Sequence, residues 1–291
     1  MKRTILVGSI LFFFVVVPLS AQSDTAKKKT ISYLQKLQAE DGGFRGDGRA
    51  KESDVASSTA AFRALKYFGG APTDPRACAD FVQKCFQKDG GGFALRPGGK
   101  VEYRATAVGI MGVVDMKLPV APYADAVVQY LDEHSESFEE IRLTAASFES
   151  LGKRPAHNKA WLAALDKLRN EDGSYGKADG AARDTGGAVC AVLRLGGRVV
   201  HPENVLKTMN DGQREDGGFG KSGQKESDLE TCYRVVRAFH MLKVKPRGAE
   251  RLRAFIARCR NDDGGYGVAP GKPSSVGGCY FAGIILHWLD E

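Results

Sequence analysis

Two kinds of apolar pattern alternate along the chain. The first places apolar residues three and four positions apart, as over residues 252–259, and predicts an amphipathic helix with one buried face. The second is apolar on nearly every side of a helix, as over residues 105–114, 188–195 and 280–289. Such a helix must be buried on all sides. Together the patterns predict two layers of helices, amphipathic outside and apolar inside.

A short glycine-aromatic signature separates the two kinds of helix. It recurs as Asp41-Gly42-Gly43-Phe44, Gly90-Gly91-Gly92-Phe93, Asp172-Gly173-Ser174-Tyr175, Asp216-Gly217-Gly218-Phe219 and Asp263-Gly264-Gly265-Tyr266. The aromatic residues lie 49, 82, 44 and 47 positions apart, and a worn copy at residues 136–139 divides the longest interval. This period predicts about six stacked helical hairpins, enough to close into a ring. We expect the glycines to end each outer helix in the left-handed conformation.

An acidic residue often precedes or opens the apolar helix. Asp54, Asp184 and Asp228 follow the signature aromatic residue of their unit by nine or ten positions. A carboxylate at this point accepts hydrogen bonds from the free N–H groups of the first helical turn. We therefore expect Asp54 and Asp184 to be N-caps, and the same explanation is open to Asp228.

The N-terminus has a pattern of its own. Lys2 and Arg3 precede an apolar run over residues 5–17, and Ala21 offers a cleavage point. The run is shorter than the roughly 20 residues that a bilayer span needs, which favours a signal peptide over an uncleaved anchor. The sequence thus predicts a signal peptide over 1–21, a short linker over 22–29 and a repeat domain over 30–291. The mature protein would be exported, to the periplasm or the medium, with no stable membrane span.

Composition and charge exclude some partners and leave others open. The chain has 43% hydrophobic and 26% charged residues and a net charge of +7, which is ordinary for a soluble globular protein. Its lysines and arginines are scattered among acidic residues, so the sequence predicts no nucleic-acid partner. The six cysteines are expected to be free and buried. Disulfide pairing is the alternative for an exported protein.

Four short segments resemble the β subunits of protein prenyltransferases, most closely the Rab geranylgeranyltransferase type. They are residues 81–85, 91–98, 230–233 and 255–266, and the resemblance extends over nearly the whole mature chain. It implies an all-α fold, an α/α toroid of about six helical-hairpin repeats with inner and outer helix layers. It also implies zinc-assisted transfer of a prenyl group from a prenyl diphosphate to a protein cysteine, with a helical partner subunit or an acceptor peptide.

The resemblance implies a zinc site as well. The family holds zinc with an Asp, a Cys two residues later and a His from the next unit. Glu230 and Cys232 match the first two ligands in one register, and Asp228 and Glu230 match them in the other. At the His position this chain has Gly278, followed by Cys279. The predicted ligands are therefore Asp228, Glu230, Cys232 and Cys279, which zinc accepts chemically. The alternative is that both cysteines only pack between inner helices.

The diphosphate site implied by the resemblance is basic. Lys225 matches a basic family position, and Lys221 lies near a second one. The alternative is that both are solvent-exposed loop lysines. Two functions follow from these alternatives. One is a prenyltransferase-like enzyme. The other is an exported, non-catalytic toroid whose central cavity binds an apolar ligand, a peptide or a protein.

Overall fold

The computed structural model describes residues 23–291, and the predicted signal peptide lies outside them. Six helices form an outer layer: α1 (Asp24–Gln35), α3 (Pro75–Lys84), α5 (Ala124–Glu133), α7 (Asn158–Lys167), α9 (Pro202–Asp211) and α11 (Ala249–Arg258). Six form an inner layer: α2 (Val55–Phe68), α4 (Tyr103–Asp115), α6 (Phe138–Leu151), α8 (Ala181–Arg194), α10 (Leu229–Met241) and α12 (Val276–Asp290). Because α1 begins at Asp24, the predicted linker is helical from that residue onward.

The inner helices form a closed ring. Each packs against the next in chain order, from α2 to α12, and α12 packs against α2. The outer helices bury one face against this ring, as α11 does with Leu252, Phe255 and Ile256. The predicted all-α toroid with inner and outer layers is confirmed.

Specific hydrogen bonds join the last unit to the first. The Val276 N–H donates to the Gly46 carbonyl at 2.9 Å. The Thr30 hydroxyl donates to the Gly264 carbonyl at 2.7 Å, inside the protein. These contacts between residues more than 200 positions apart close the toroid.

The signature glycines form turns that follow the outer helices. Gly42, Gly91, Gly173, Gly217 and Gly264 all have positive φ, between 65° and 89°, as the sequence predicts. The outer helices nevertheless end several residues earlier; α11, for example, ends at Arg258. The expectation that these glycines end the helices is therefore wrong. Two of the turns carry short antiparallel strand pairs, β1 (Phe44–Arg45) with β2 (Ser53–Asp54), and β3 (Phe86–Gln87) with β4 (Gly92–Phe93).

The predicted cap is confirmed at Asp54 and wrong at Asp184, and Asp228 is a cap as well. Asp54 and Asp228 are N-caps of α2 and α10, and their carboxylates accept from the N–H groups of Ser57 and Thr231. The prediction for Asp184 is wrong, because a 3-10 turn over Ala178–Gly180 starts α8 earlier and places Asp184 within its first turn.

All six cysteines are free and buried, as expected from their apolar surroundings. Between residues 23 and 291, no helix combines the length and the apolar character that crossing a bilayer requires.

Candidate functional site

The inner ring encloses a cavity of about 700 Å³. All six inner helices contribute to its lining, α8 through Arg194 alone. A cavity of this size is typical of sites for small organic ligands. The first turns of the inner helices supply one end of the lining, called here the N-terminal tier, and their last turns supply the other, the C-terminal tier.

The two sides of the cavity differ in chemistry. The side made by α12, α2 and α4 carries most of the apolar and aromatic lining, with three charged residues among it, Arg63, Arg104 and Asp115. Its apolar and aromatic residues are Ala56, Ala60, Tyr67, Tyr103, Val108, Met111, Val276, Tyr280, Phe281 and Ile284. The side made by α6, α8 and α10 is mostly charged, with Glu139, Glu140, Arg142, Glu149, Arg194, Glu230, Arg234 and Arg237. The cavity is therefore amphipathic across its width.

An aromatic cluster reinforces the apolar side. The ring of Tyr233, from α10, lies 5.3 Å from that of Phe281, 5.6 Å from that of Trp288 and 5.9 Å from that of Tyr280, measured between centroids. Aromatic pairs at these separations attract one another beyond their burial. Tyr233, on α10, thus extends the aromatic surface of α12 to the charged side of the cavity.

Ion pairs occupy the N-terminal tier. Arg234 donates to both carboxylate oxygens of Glu139, at 2.6 and 3.0 Å, and to Glu230 at 2.8 Å. Arg142 donates to Glu139 as well, at 3.0 Å. Burial opposes ionisation of Glu139, but Arg234 and Arg142 outweigh it and lower the pKa of this carboxyl to about 2. Arg234 and Lys221 likewise lower the pKa of Glu230 against the effect of burial. Neither carboxyl therefore holds a proton near neutral pH.

The C-terminal tier gathers three guanidinium groups around two carboxylates. Arg194 Nε donates to Glu149 Oε2 at 2.8 Å, and Arg237 Nη2 donates to the same oxygen at 3.2 Å. Arg63 is paired with Asp115. The Arg194 side chain is only 5% exposed, so the surrounding water screens its charge weakly.

The two lysines predicted to bind a diphosphate are placed differently. Lys221 Nζ lies 3.3 Å from Glu230 Oε2 in an ion pair at the N-terminal tier. Lys225 is exposed on the loop before α10 and does not line the cavity. Lys221 is thus paired with a residue of the cavity lining, and neither lysine lines the cavity itself.

The predicted zinc cysteines occupy a position that recurs in five units. The N–H of each signature aromatic residue donates to a side chain on the following inner helix. The acceptors are Ser58, Thr106 and Thr185 at 2.9, 3.0 and 2.9 Å, and the thiols of Cys232 and Cys279, both at 3.3 Å. Burial raises the pKa of Cys279 to about 12 and that of Cys232 well above its ordinary value. Both sulfurs are therefore protonated and hydrogen-bonded.

The four predicted ligands do not fit a zinc ion in this arrangement. Asp228 accepts from the Thr231 N–H and hydroxyl as an N-cap, and Glu230 is paired with Arg234 and Lys221. Zinc binds thiolate rather than thiol sulfur. The Cys232 thiol already accepts a hydrogen bond from the Phe219 N–H, and the Cys279 thiol accepts one from the Tyr266 N–H. Within residues 23–291, no three His, Cys, Asp or Glu side chains lie together as a metal site.

Apart from Glu230, sequence reasoning missed the charged residues of the cavity. One clue was available, because Arg194 and Arg237 lie in helices most of whose residues are buried. A charge inside such a helix needs a partner or a cavity. The helices' repeat pattern identified the layer to which these residues belong, without showing which of them meet.

Comparisons with known proteins agree on the architecture. The family profile of the prenyltransferase alpha-alpha toroid domain matches residues 9–140 and 120–290. No curated protein matches the chain in sequence.

Among solved structures, a protein geranylgeranyltransferase-I from Candida albicans in complex with GGPP is similar, with a TM-score of 0.65, 12% identity and 90% of each chain covered. A type II terpene cyclase from Scytonema gives 0.61 and 10% identity, covering 91% of this chain and 96% of the other. An alpha-amylase from Clostridium perfringens gives 0.57 and 11% identity, covering 92% and 98%. Similarity at these identities shows the fold alone.

Proposed function

The chain belongs to the prenyltransferase α/α toroid family, and from that premise we propose that its central cavity binds an amphipathic ligand with a prenyl-like apolar body and a charged group. The observation that carries the proposal is the division of the cavity into an apolar, aromatic side and a charged side. The apolar body of the ligand is stabilised when it moves out of water and packs against the apolar side. The charged group is stabilised by hydrogen bonds to the charged side.

Prenyl diphosphates are the first candidate ligands. Two similar toroids are described in complexes with geranylgeranyl compounds: the Candida albicans transferase with GGPP, and the Scytonema cyclase with a geranylgeranyl dihydroxybenzoate. The cavity of this chain is lined by aromatic rings and arginines, which suit a prenyl chain and a diphosphate. Binding outside the cytoplasm, after export of the chain, is part of the same proposal.

Prenyl transfer is the second candidate function. It would resemble that of the Rab geranylgeranyltransferase β subunit, with zinc at Asp228, Glu230, Cys232 and Cys279, the diphosphate on Lys221 and Lys225, and a partner subunit or acceptor peptide. Family membership and the sequence around Cys232 favour it. The hydrogen bonds and ion pairs that already engage these residues favour binding without transfer, which is therefore the main proposal.

Filling the cavity tests the proposal directly. Gly277 lines the cavity, and a Cβ added there meets only the Ser275 Oγ, at 4.0 Å. Gly277→Leu should therefore place an isobutyl group in the cavity and leave the fold intact. We expect it to weaken the binding of geranylgeranyl diphosphate at least about tenfold, a change of about 1.4 kcal/mol, as measured by isothermal titration calorimetry.

Gly48→Leu is the matched control. Gly48 is exposed, and an added Cβ there has nothing within 4 Å, so this variant should bind like wild type. Equal binding by both variants would place the ligand outside the cavity and overturn the proposal. Zinc analysis of the purified protein, with an assay of prenyl transfer to a cysteine peptide, distinguishes the second candidate. If the protein contains stoichiometric zinc and transfers the prenyl group to the peptide, prenyl transfer rather than binding alone is its function.

A further inference from the structure

The C-terminal tier carries an excess of positive charge inside the ring. Arg63, Arg194 and Arg237 share two carboxylates, those of Asp115 and Glu149, and a single oxygen of Glu149 serves two of the three guanidinium groups. Burying guanidinium groups without matching counter-ions is costly. A third negative group would complete this arrangement.

Arg237 is held in place with a donor to spare. Its guanidinium carbon lies 5.1 Å from the centroid of the Trp288 ring, a cation–π geometry. Its Nη2 contacts Glu149, whereas its Nε is buried and has no hydrogen-bond partner within the described part of the chain. A planar guanidinium with free donors is suited to phosphate and carboxylate groups.

Tyr233 lies next to these arginines. The residue lines the cavity. Its ring centroid is 5.6 Å from that of Trp288, the ring that Arg237 stacks on. Tyr233 therefore lies at the border between the aromatic cluster and the arginines.

We propose that Arg194 and Arg237 of the C-terminal tier, with Tyr233 one turn before Arg237 on α10, form an anion subsite, which binds the phosphate or carboxylate group of the cavity's ligand. The inference rests on the proposed function and assigns an orientation to its ligand. Glu230 and Arg237 are separated by about two turns of α10, roughly 10 Å along the helix. The charged group thus lies at the other end of the cavity from Lys221, which contacts Glu230.

The N-terminal tier is less suited to an anion. Arg104 and Glu140 line the cavity at this end with opposite charges. Glu139 and Glu230 both face the cavity there as carboxylates, and they already occupy Arg142, Arg234 and Lys221. A bound anion would meet repulsion from both. The opposing interpretation of the C-terminal tier is purely structural, because arginines also stabilise helix C-termini.

Two substitutions with opposite expected effects test the subsite. Arg237→Gln removes a donor and should weaken the binding of geranylgeranyl diphosphate and of inorganic pyrophosphate at least about tenfold. Glu149→Gln removes the carboxylate that competes with the ligand, and should strengthen the binding of both about threefold or more. Geranylgeraniol, which has no anionic group, should bind all three proteins alike. A purely structural role for the arginines predicts weaker or unchanged binding in both variants.

Tyr233→Phe tests the tyrosine of the subsite. It removes one hydroxyl and keeps the aromatic ring, so it should weaken the binding of pyrophosphate and of geranylgeranyl diphosphate and leave that of geranylgeraniol unchanged. Unchanged binding of pyrophosphate would show that Tyr233 is not part of the subsite.

The outcomes separate this inference from the proposed function. If geranylgeranyl diphosphate binds and neither Arg237→Gln nor Glu149→Gln alters its affinity, the subsite is overturned and cavity binding stands. Loss of affinity in Lys221→Gln instead would place the anion at the N-terminal tier. If no geranylgeranyl compound binds, the proposed function fails for this ligand class. In that case the subsite is tested with pyrophosphate alone. The subsite stands only if pyrophosphate binds more tightly to Glu149→Gln than to wild type.

Discussion

The amide N–H of each signature aromatic residue is buried beneath its turn and needs a hydrogen-bond acceptor. Three units supply a hydroxyl at Ser58, Thr106 and Thr185, and two supply the thiols of Cys232 and Cys279. At the scale of single residues, this position explains two cysteines that a comparison of short motifs associates with zinc. A small side chain with one polar atom satisfies the turn, whichever of the three residue types provides it.

Replacing Cys232 by Ser should therefore be tolerated. The hydroxyl can accept from the Phe219 N–H and donate to the Phe219 carbonyl, as Thr185 does with Tyr175. We expect Cys232→Ser to change the free energy of unfolding by less than about 1 kcal/mol. Cys232→Ala should lower it by about 1–3 kcal/mol, because the buried N–H loses its acceptor. Urea denaturation measures both. Severe destabilisation by Ser, accompanied by loss of bound zinc, would instead support the predicted metal site.

Among the elements, the inner helices begin in one of two ways. Asp54 and Asp228 lie in extended conformation just before α2 and α10 and accept from the first turn. In α8 the 3-10 turn over Ala178–Gly180 leads directly into the helix, so Asp184 has no free N–H to cap. The distance from the signature to the acidic residue is nearly constant, and the path of the loop between them decides whether the residue is a cap.

Asp228→Ala should lower the free energy of unfolding by about 1 kcal/mol, the usual contribution of an N-cap. Asp228→Asn should retain most of it, since the amide oxygen is also a good cap. Asp184→Ala, the matched substitution in α8, should have a smaller effect. Thermal and chemical denaturation of the three variants would check this order. A loss for Asp184→Ala equal to that for Asp228→Ala would contradict the assignment of the caps.

At the scale of the whole molecule, the ring depends on how closely its last unit approaches its first. Gly264 has φ +89°, and a Cβ added there would lie 2.7 Å from the Lys29 carbonyl oxygen in α1. The Thr30 hydroxyl bonds to the Gly264 carbonyl beside this contact. Glycine is needed here both for its conformation and for the space it leaves.

The close approach can be tested apart from the backbone conformation. Gly271, in the same unit, has φ +73° and open space around its Cα, so Gly271→Ala reports the cost of positive φ alone. Gly264→Ala should lower the free energy of unfolding by about 1–3 kcal/mol more, the usual cost of overpacking. Equal losses in the two variants would show that the ring adjusts at this contact without strain.

The amino-acid sequence by itself determined the two helix layers, the number of hairpins, the central cavity that a ring implies and the cap at Asp54. These features depend on residues close together in the chain: apolar spacing sets which face of a helix is buried, and the recurring glycines mark each turn. Nothing of this kind predicts the chemistry of the cavity. Its ion pairs join Glu139 to Arg234 and Glu149 to Arg237, 95 and 88 positions apart.

Only the tertiary structure decided which charges meet. Closing six hairpins into a ring turns one narrow face of every inner helix toward a common centre, and the chemistry of the cavity is the sum of those faces. Cys232, Cys279 and Glu230 are engaged by neighbours four to thirteen positions away, within their own units. A motif of four residues does not reveal these contacts. Local periodicity encodes an element because its interactions are local, whereas a site shared by six units arises from packing.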